Sequence, residues 1–350
     1  MATTTPMNEA ASLKNSLRFK IDNLRDVASL KSVIDTFTEF QSNAANLPLR
    51  IQTLRQRKYA FNNLLEKKAA DLSMRCAAIQ GDVEGKIAMQ ANILQSGLRS
   101  IEMRFNALGA LPALSSVQIL SNETDQFEDR CESTADSIRA FFEALKSEVD
   151  TFIHDISELE FALDKADAAS FGFLPGEAVV KAVKAVWCKS GKEEKNDPEG
   201  ILFLTDQRLI FEQNEEVATK KVLFVTTERQ KIQQLLFEVP AISIEEVKGF
   251  KQGVMKNQDM LSLKFAAGNF AATALLHIFY EDCTAWQSLI TSVKTHEIDR
   301  NRAIAVDQAA IDKAKAAPTQ CPQCGGLITK PVLRGMDTIK CEFCGKEIRL

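Results

Sequence analysis

Two Cys-x-x-Cys pairs carry the clearest chemistry in this sequence: Cys321 with Cys324, and Cys341 with Cys344. Sixteen residues separate the pairs, and a glycine follows each of them, which permits a tight turn that presents two thiolates. Four sulfur donors suit the tetrahedral coordination of Zn²⁺ and leave no open position for a substrate. The spacing therefore predicts one structural zinc ion. The alternative, a redox dithiol, does not need two matched pairs.

The other four cysteines stand singly along the chain. They are Cys76, Cys131, Cys188 and Cys283. This distribution is typical of a protein from a reducing compartment and does not indicate a disulfide framework. We expect each of them to act as a small buried hydrophobe rather than as a reactive thiol.

The sequence does not carry the motifs of an enzyme. Its three histidines are His154, His277 and His296, and none stands beside a glycine-flanked serine or another nucleophile motif. A phosphate-binding loop, a dinucleotide fingerprint and a catalytic metal motif are also missing from the sequence. We therefore expect a protein without catalytic activity.

Composition and charge narrow the class of protein. The 350 residues suffice for two or three domains, and a net charge of −4 gives no bulk attraction to nucleic acid or anionic lipid. The N-terminus shows no secretory signal pattern. The most apolar run, 271–280, is about half of the ~20 residues that a membrane-spanning helix needs. We expect a cytoplasmic protein, and a position at the periphery of a membrane stays open.

Long helices are expected before the cysteine-containing region. From 9 to 170, apolar side chains recur at every third or fourth position, which is typical of helices packed along a coiled-coil seam. Breaks are expected at 46–48 and at 109–112, and Ser121 is a candidate N-cap for the third helix. The pattern predicts a rod of antiparallel coiled-coil helices over 9–170. Residues 1–8 are expected to be disordered.

The charges of this helical region predict how its helices pair. Residues 46–108 carry a net charge of +5, and residues 121–168 carry −10. A basic helix that a short turn joins to an acidic helix should lie antiparallel to it. The region then either forms a homo-oligomer or folds as a three-helix bundle. We favour oligomerisation, because a single long hairpin rarely buries both of its faces.

A β-rich module is expected from 175 to 297. Two short strands across a tight turn at Asp206 form a predicted hairpin over 200–211. Further strands are expected in five segments before a helix that begins near Cys283 and carries Trp286. These five segments are 221–226, 235–239, 241–250, 261–265 and 274–280. Six or seven strands followed by one helix predict a curved sheet or barrel that the helix closes.

The segment Gly-Ile-Leu-Phe-Leu-Thr-Asp-Gln-Arg-Leu-Ile-Phe, residues 200–211, resembles the second and third strands of GRAM and bacterial pleckstrin-homology-like domains. The Ile242-Ser-Ile244 segment, Val247 and the helix that bears Trp286 also resemble that family. The resemblance spans about 120 residues. It implies two orthogonal sheets capped by a C-terminal helix, binding of lipids, peptides or proteins, and no catalysis.

In pleckstrin-homology domains the first hairpin loop often carries the basic residues that hold phosphoinositide phosphates. The corresponding loop of this chain, 189–199, contains three lysines and four acidic residues. They are Lys189, Lys192, Lys195, Glu193, Glu194, Asp197 and Glu199. Carboxylates repel a polyanion, so the loop favours protein partners over phosphoinositides.

A helical neck over 298–318 is expected to extend the preceding helix and to lead into a zinc ribbon over 319–350. This segment resembles the zinc ribbons that bind nucleic acid or protein in many other chains. Its net charge is only +2, which disfavours nucleic acid. The basic residues are Lys330, Arg334, Lys340, Lys346 and Arg349.

The sequence as a whole predicts a multidomain protein of α and β structure that works as a non-enzymatic cytoplasmic adaptor or scaffold. Protein partners are the first expectation. A peripheral membrane scaffold is an alternative, with the basic segment 50–59 or the amphipathic segment 13–21 on anionic lipid. A nucleic-acid-associated factor that acts through the ribbon is a further alternative.

Overall fold

The computed structural model of the chain describes residues 6–222, 225–253 and 257–350. These residues form two compact units, each described by itself below. The first comprises the chain up to 49 together with 67–154, and the second comprises 50–66 and 155–350. The predicted disordered start lies outside the described residues as far as residue 5, whereas residues 6–8 are helical. The other predicted domain limits stay predictions.

Five α-helices make up the N-terminal half of the chain, where the apolar spacing predicted three. They are α1 Pro6–Ala28, α2 Lys31–Gln56, α3 Leu65–Ala107, α4 Leu114–Arg139 and α5 Glu143–Asp167. Among these described helices, none combines the length and the apolar character that crossing a bilayer requires. The N-terminal half of the chain is therefore helical, as the 3,4 spacing predicted.

Ion pairs within the first unit fix the direction of the basic helix α3 against the acidic helices. Arg104, near the end of α3, contacts Glu123 near the start of α4. Arg75, near the start of α3, contacts Glu148 of α5 with an Nη1–Oε2 distance of 2.7 Å. The later residue of α3 therefore pairs with the earlier residue of the acidic helices, and the earlier residue of α3 with the later one. This order means that α3 runs antiparallel to α4 and α5. This is the pairing that the charge balance predicted.

The first two helices add a third layer to this unit. Lys20 of α1 contacts Glu128 of α4 at 2.6 Å, and Arg139 of α4 donates to Ser32 of α2 at 2.8 Å. In these two contacts the residue number rises on both sides, from 20 to 32 in the first two helices and from 128 to 139 in α4. The layer of α1 and α2 therefore runs parallel to α4. The three layers therefore alternate up, down and up.

The apolar seam of the helical region is buried within this three-layered bundle. Phe142 packs on Phe37, with ring centroids 5.1 Å apart, and on Phe40 at 5.9 Å. Other buried members are Leu17, Leu24, Val33, Leu72, Val83, Leu94, Val117, Phe127, Cys131 and Val149. The third layer covers the face that a lone hairpin would expose, which removes the reason given above for oligomerisation. Oligomerisation itself stays a prediction.

The predicted helix break at 46–48 is wrong, because Pro48 lies inside α2. A proline in a helix interior removes one hydrogen bond and crowds the preceding turn. The buried face formed by Ala44, Leu47 and Ile51 holds the helix together across that position. The chain breaks instead at Leu30, which adopts a φ of 56°, and between the end of α2 at Gln56 and the start of α3 at Leu65.

The predicted N-cap at Ser121 is also wrong, because α4 begins seven residues earlier, at Leu114. Val117 and Leu120 are both buried in the first turns of this helix. Packing of this kind outweighs the ~1 kcal/mol that a good cap provides. Ala113 occupies the N-cap position without a side-chain hydrogen bond.

The second unit contains a seven-stranded antiparallel sheet, in agreement with the six or seven strands predicted. The strands are β1 Val179–Trp187, β2 Glu199–Thr205, β3 Arg208–Val222, β4 Val225–Pro240, β5 Ile244–Gln252, β6 Gln258–Phe265 and β7 Thr273–Ile278. β3 and β4 replace three shorter predicted strands, because their backbones stay paired through polar stretches such as 212–216. Two positions of the predicted strand 221–226, 223 and 224, lie outside the described residues.

The order of the strands requires the sheet to curl. It is β4-β3-β2-β1-β7-β6-β5, so the two edge strands follow each other along the chain. Six inter-strand spacings of about 4.8 Å would place those edges roughly 29 Å apart in a flat sheet. The 3-10 helix Ala241–Ser243 joins them with three residues, which span about 10 Å at most. The edges must therefore approach each other at this point.

One helix, α6 Cys283–Lys294, packs on β5 and β6 and buries Trp286. Asp282 caps it and accepts hydrogen bonds from the backbone N–H groups of Thr284 and Ala285. The expected continuation of α6 as a neck is wrong. The helix ends at Lys294, and His296 then adopts a φ of 60°.

Hydrogen bonds from distant residues hold the segment that follows α6 in a non-helical course. Asn63 N–H donates to the carbonyl of Asn301, and Ala303 N–H donates to that of Ala60. The remaining elements are the 3-10 helix Glu297–Asn301, α7 Gln308–Lys315, β8 Thr338–Lys340 and β9 Glu347–Arg349. β8 and β9 pair with each other in antiparallel fashion, with Ile339 opposite Ile348.

Candidate metal centre

The two cysteine pairs form knuckles with the same backbone pattern. In the first, Cys321 N–H donates to the carbonyl of Gly326, and Gly325 N–H donates back to Cys321, both at 2.8 Å. In the second, Cys341 N–H bonds to the carbonyl of residue 346 at 2.9 Å, and Gly345 N–H bonds to Cys341 at 3.0 Å. Gly325 and Gly345 have φ values of 72° and 71°, which glycine adopts without strain.

The four sulfur atoms meet in one place. The Sγ atoms of Cys321 and Cys344 are 3.7 Å apart, and those of Cys324 and Cys341 are 3.6 Å apart. All four ligand atoms lie within 4.8 Å of one another. A tetrahedron with Zn–S bonds of ~2.3 Å has sulfur atoms about 3.8 Å apart. The donor set and its spacing therefore fit a tetrahedral metal ion.

Backbone N–H groups favour the thiolate form at the first cysteine of each knuckle. The N–H of Cys324 lowers the pKa of Cys321, and the N–H of Cys344 lowers the pKa of Cys341 to about 6. The N–H of Gly326 acts on Cys324 in the same sense, but hydrogen bonding to the other three cysteine sulfurs and desolvation together outweigh it and raise the pKa of Cys324 to about 12. A cation bound by these sulfurs would displace the protons that the thiols carry.

A small apolar core supports the knuckles. Cys321 and Cys341 are buried together with Ile348 of β9, and Ile328 and Ile339 pack against them. Cys324 and Cys344 lie on the exposed side of the cluster. Since this core is small for an independent fold, the metal would supply much of the stability of this segment.

The loop between the two cysteine pairs is anchored to the sheet at the turn between β2 and β3. Arg334 donates from Nη2 to Oδ2 of Asp206 at 2.5 Å. Its backbone N–H bonds to the side-chain oxygen of Gln207 at 2.7 Å, and its carbonyl accepts from the Gln207 amide at 3.2 Å. Gly335 packs so closely that a Cβ there would lie 2.3 Å from the carbonyl oxygen of Pro175.

The segment after α6 meets the same turn. Arg302 contacts Oδ2 of Asp206, and its Nε donates to Asp299 at 2.5 Å. The side chain of Asp206 is fully buried, while those of Arg302 and Arg334 are 8% and 15% exposed. The backbone N–H of Ala178 occupies the other carboxylate oxygen at 3.0 Å. One buried carboxylate therefore joins three separate segments of the second unit.

Comparison with known proteins adds only a likeness to solved structures. No protein-family model matches the chain, and neither does any curated protein. The matching solved structures include PH-domain proteins. The Vps36 N-terminal PH domain is 14% identical, with 36% of this chain and 85% of that chain covered and a TM-score of 0.25.

A pleckstrin homology domain from Shewanella amazonensis is 15% identical, with 39% of this chain and 96% of that one covered and a TM-score of 0.22. The DH/PH domains of p115-RhoGEF are 11% identical, with 82% and 94% covered and a TM-score of 0.22. Likeness at these identities and TM-scores carries no argument about function.

The loop between β1 and β2, where a phosphoinositide was considered, is folded back on itself and on the sheet. Glu193 bonds to Nδ1 of His277 at 2.7 Å and accepts from Gln258 at 3.0 Å. The Lys189 ammonium lies 5.1 Å from the centroid of the Trp187 ring. The loop therefore engages an acidic residue and one of its lysines in contacts of its own.

Three of the four basic residues in the segment 50–59, considered for lipid, pair with carboxylates of the second unit. Arg50 donates from Nε and Nη2 to Glu160 at 2.9 and 2.7 Å. Arg57 contacts Asp164 at 2.9 Å and Asp167 at 2.7 Å. These side chains face acidic residues of α5 rather than an outside anion.

The amphipathic segment 13–21 is likewise engaged within the first unit. Leu17 and Ile21 are buried in the bundle. Lys14 donates to the carbonyls of Leu108 and Gly109, both at 3.0 Å. The apolar face that a bilayer would receive is therefore covered.

The single cysteines are all buried, and burial raises the pKa of Cys131 and Cys188 to about 11, which suits unreactive thiols. Sequence reasoning missed the Asp206 cluster, because it assigned Asp206 only to a turn and Arg334 only to the charge of the ribbon. A buried carboxylate in a tight turn is visible only once the fold places two arginines beside it.

Proposed function

We propose that this chain is a non-enzymatic cytoplasmic adaptor. Its curled sheet forms a PH-like module, closed by α6, that docks on a protein partner, and its four cysteines hold a structural zinc ion in a ribbon. The observation that supports this choice is that several basic side chains contact acceptor groups of the chain itself. Arg50, Arg57, Lys14 and Arg334, which a membrane or nucleic acid would need, bind carboxylates or carbonyls of the chain itself.

The β1–β2 loop supports a protein partner over a phosphoinositide. Glu193 lies on His277, and Asp197 accepts hydrogen bonds from the backbone N–H groups of Lys189 and Glu194. A polyanion would have to enter beside these carboxylates. A protein surface with neutral or basic side chains meets no such penalty.

Vesicle co-sedimentation of the full-length protein separates the adaptor from the peripheral membrane alternative. We expect no pelleting with neutral or anionic vesicles. Salt-sensitive pelleting with anionic vesicles only, lost when Lys189, Lys192 and Lys195 are all replaced by alanine, would replace the adaptor proposal with the membrane alternative. The variant Lys67→Ala is a control, because it changes a lysine outside this module.

Cross-linking of the full-length protein in its source cell tests the docking itself. We expect one partner to be joined in a fixed ratio through residues of 175–297. Recovery of the chain alone, under conditions in which a known complex of that cell cross-links, would contradict the proposal. A partner joined through the ribbon and released by nuclease would instead favour the nucleic-acid alternative.

We further propose that the helical bundle forms a homo-oligomer through a coiled-coil contact of α3. Met74, Met89 and Ile93 on α3 remain 65%, 55% and 57% exposed. Gly81 and Gly85 lie among them, and no atom lies within 4 Å of where a Cβ would stand at either, so another helix could approach closely there. Light scattering should give a mass above one chain that falls when Met89 and Ile93 become lysine. A monomer in the wild type would end this part of the proposal.

A further inference from the structure

A cavity of about 500 Å³ lies within the second unit, beside the buried Asp206 cluster. Its walls come from the β2–β3 turn, the 3-10 helix between β4 and β5, the end of α6, α7 and the loop between the cysteine pairs. The apolar side chains that line it include Ile242, Val293, Ile311, Ala314, Val332 and Leu333. This volume lies in the range of ~300–1,000 Å³ that is typical of small-molecule sites.

The helix α7 lines this cavity and lacks the packing that its length requires. Its eight residues are too few to form a stable helix in water without packing. Asp307 caps it, and Ile311 and Ala314, one turn apart, line the cavity. Yet α7 has no buried residue. An apolar body in the cavity would bury the face of α7 that is now only half covered.

The wall of the cavity opposite α7 also carries apolar side chains that are only partly buried. Ile242 stands on the 3-10 helix that joins the edge strands and is 61% exposed. Val332 and Leu333, in the loop that Arg334 anchors, are only half buried. Apolar side chains on walls from separate segments therefore face a common space without filling it.

The charged side chains at the cavity determine which charge the polar end of a bound ligand should carry. Its two carboxylates, Asp206 and Asp299, both contact Arg302 and are therefore compensated. The Lys294 ammonium bonds to the backbone carbonyl of Glu245 at 3.0 Å, and no carboxylate of the described residues forms an ion pair with it. Lys315 has no hydrogen bond or ion pair among the residues that the structure describes.

We propose that this cavity binds a single-chain fatty acid, with the hydrocarbon against Ile242, Ile311 and Leu333 and the carboxylate near Lys294 and Lys315. The chemistry that selects it is an apolar space with uncompensated ammonium groups at its edge. A volume of about 500 Å³ suits one chain rather than a two-chain phospholipid. This site is independent of the adaptor function proposed above.

Calorimetric titration of the full-length, zinc-loaded protein with decanoate below its micellar concentration tests the proposal. We expect binding of one decanoate per chain, and at least tenfold weaker binding of decyltrimethylammonium, which has the same chain length and the opposite charge. The double variant Lys294→Ala/Lys315→Ala should bind decanoate several-fold more weakly. Absence of decanoate binding, or equal binding of the two amphiphiles, would overturn it.

A matched pair of variants on α7 locates the bound chain. Ala314→Phe places a ring in the cavity and should weaken decanoate binding at least tenfold, whereas Ala309→Phe, on the exposed face of the same helix, should leave it unchanged. If Ala314→Phe does not fold, Ile311→Gln serves the same purpose without added volume. Undiminished binding by the folded cavity variant would overturn the assignment.

Discussion

Arg334 and Asp206 are 128 positions apart in the chain, and a hydrogen bond of 2.5 Å joins the guanidinium of one to the buried carboxylate of the other. Arg302 contacts the same carboxylate oxygen. The loop between the cysteine pairs is therefore held on the sheet by a charge contact of low exposure. Such contacts cost most when only one partner is removed.

Replacing Asp206 by asparagine should release this loop. The substitution keeps the shape of the side chain but removes the carboxylate that Arg334 contacts and one of the two that Arg302 contacts, at a cost of about 3 kcal/mol. Hydrogen exchange in 331–336 should then accelerate by roughly 100-fold, since 1.4 kcal/mol is about a factor of ten. Asp312→Asn, an exposed change on α7, is the control and should leave exchange unaltered. Equal exchange in both variants would contradict a role for the contact.

Gly335 offers an independent test of the same attachment. Gly335→Ala should loosen the loop, because a Cβ would lie 2.3 Å from the Pro175 carbonyl oxygen. Gly176 is the matched control: its φ of 76° is close to the 81° of Gly335, but no atom lies within 4 Å of a Cβ there. Gly176→Ala therefore measures backbone strain alone. A larger thermal destabilisation by Gly335→Ala is expected, and equal effects would mean that only strain matters.

Metal analysis should find one zinc ion per chain, and Cys341→Ser should abolish it. A structural zinc site stabilises its own fold by ~10–16 kcal/mol, so chelation should expose the amides of 320–349 to exchange while the seven-stranded sheet stays protected. Cys283→Ser is the control, because it changes a buried cysteine outside the cluster. Full zinc retention by Cys341→Ser would refute the assignment.

The cap of α6 should give a measurable pH dependence. The hydroxyl of Thr284, followed by the backbone N–H of Ala285, lowers the pKa of Asp282 below its ordinary value of 3.8. A group whose pKa is lower in the folded state stabilises that state above the unfolded pKa and loses this contribution as the pH falls through the folded pKa.

The wild type should therefore be more stable than Asp282→Asn at about pH 6, and the difference should shrink towards about pH 3. Asp282→Ser, which has no charge at any pH, should follow the asparagine variant. Thermal unfolding of all three proteins at each pH supplies the comparison. A difference that is constant over this range would show that the charge of Asp282 does not matter.

Local spacing was enough to predict that the four cysteines cluster, because each Cys-x-x-Cys turn determines its own geometry. Cys321 and Cys341 lie in equivalent knuckles whose shape depends only on the following few residues. Short apolar segments bounded by polar turns likewise predicted six or seven strands, although not the full lengths of β3 and β4. Both signals are short-range and survive in a sequence without any knowledge of the fold.

Helix limits and long-range contacts could not be predicted in this way. Pro48 is tolerated because the neighbouring residues are buried on both sides of it, and burial depends on helices that lie far away along the chain. The pairing of Asp206 with Arg302 and Arg334 leaves no periodic trace, since it depends on how the chain returns to the β2–β3 turn. The sequence showed Asp206 in a predicted turn and Arg334 in the zinc-ribbon segment, but it did not show that the two are in contact.

The separation of Asp206 from Arg334 also sets an order of events during synthesis. Translation at ~5–20 residues per second places roughly 6–25 s between the appearance of these two residues. Over that interval the sheet can form while the turn that holds Asp206 is still in contact with water. The Asp206 carboxylate therefore incurs no desolvation cost before Arg302 and Arg334 have been synthesised. Closure of this contact is therefore a late step in the maturation of the protein, after the sheet.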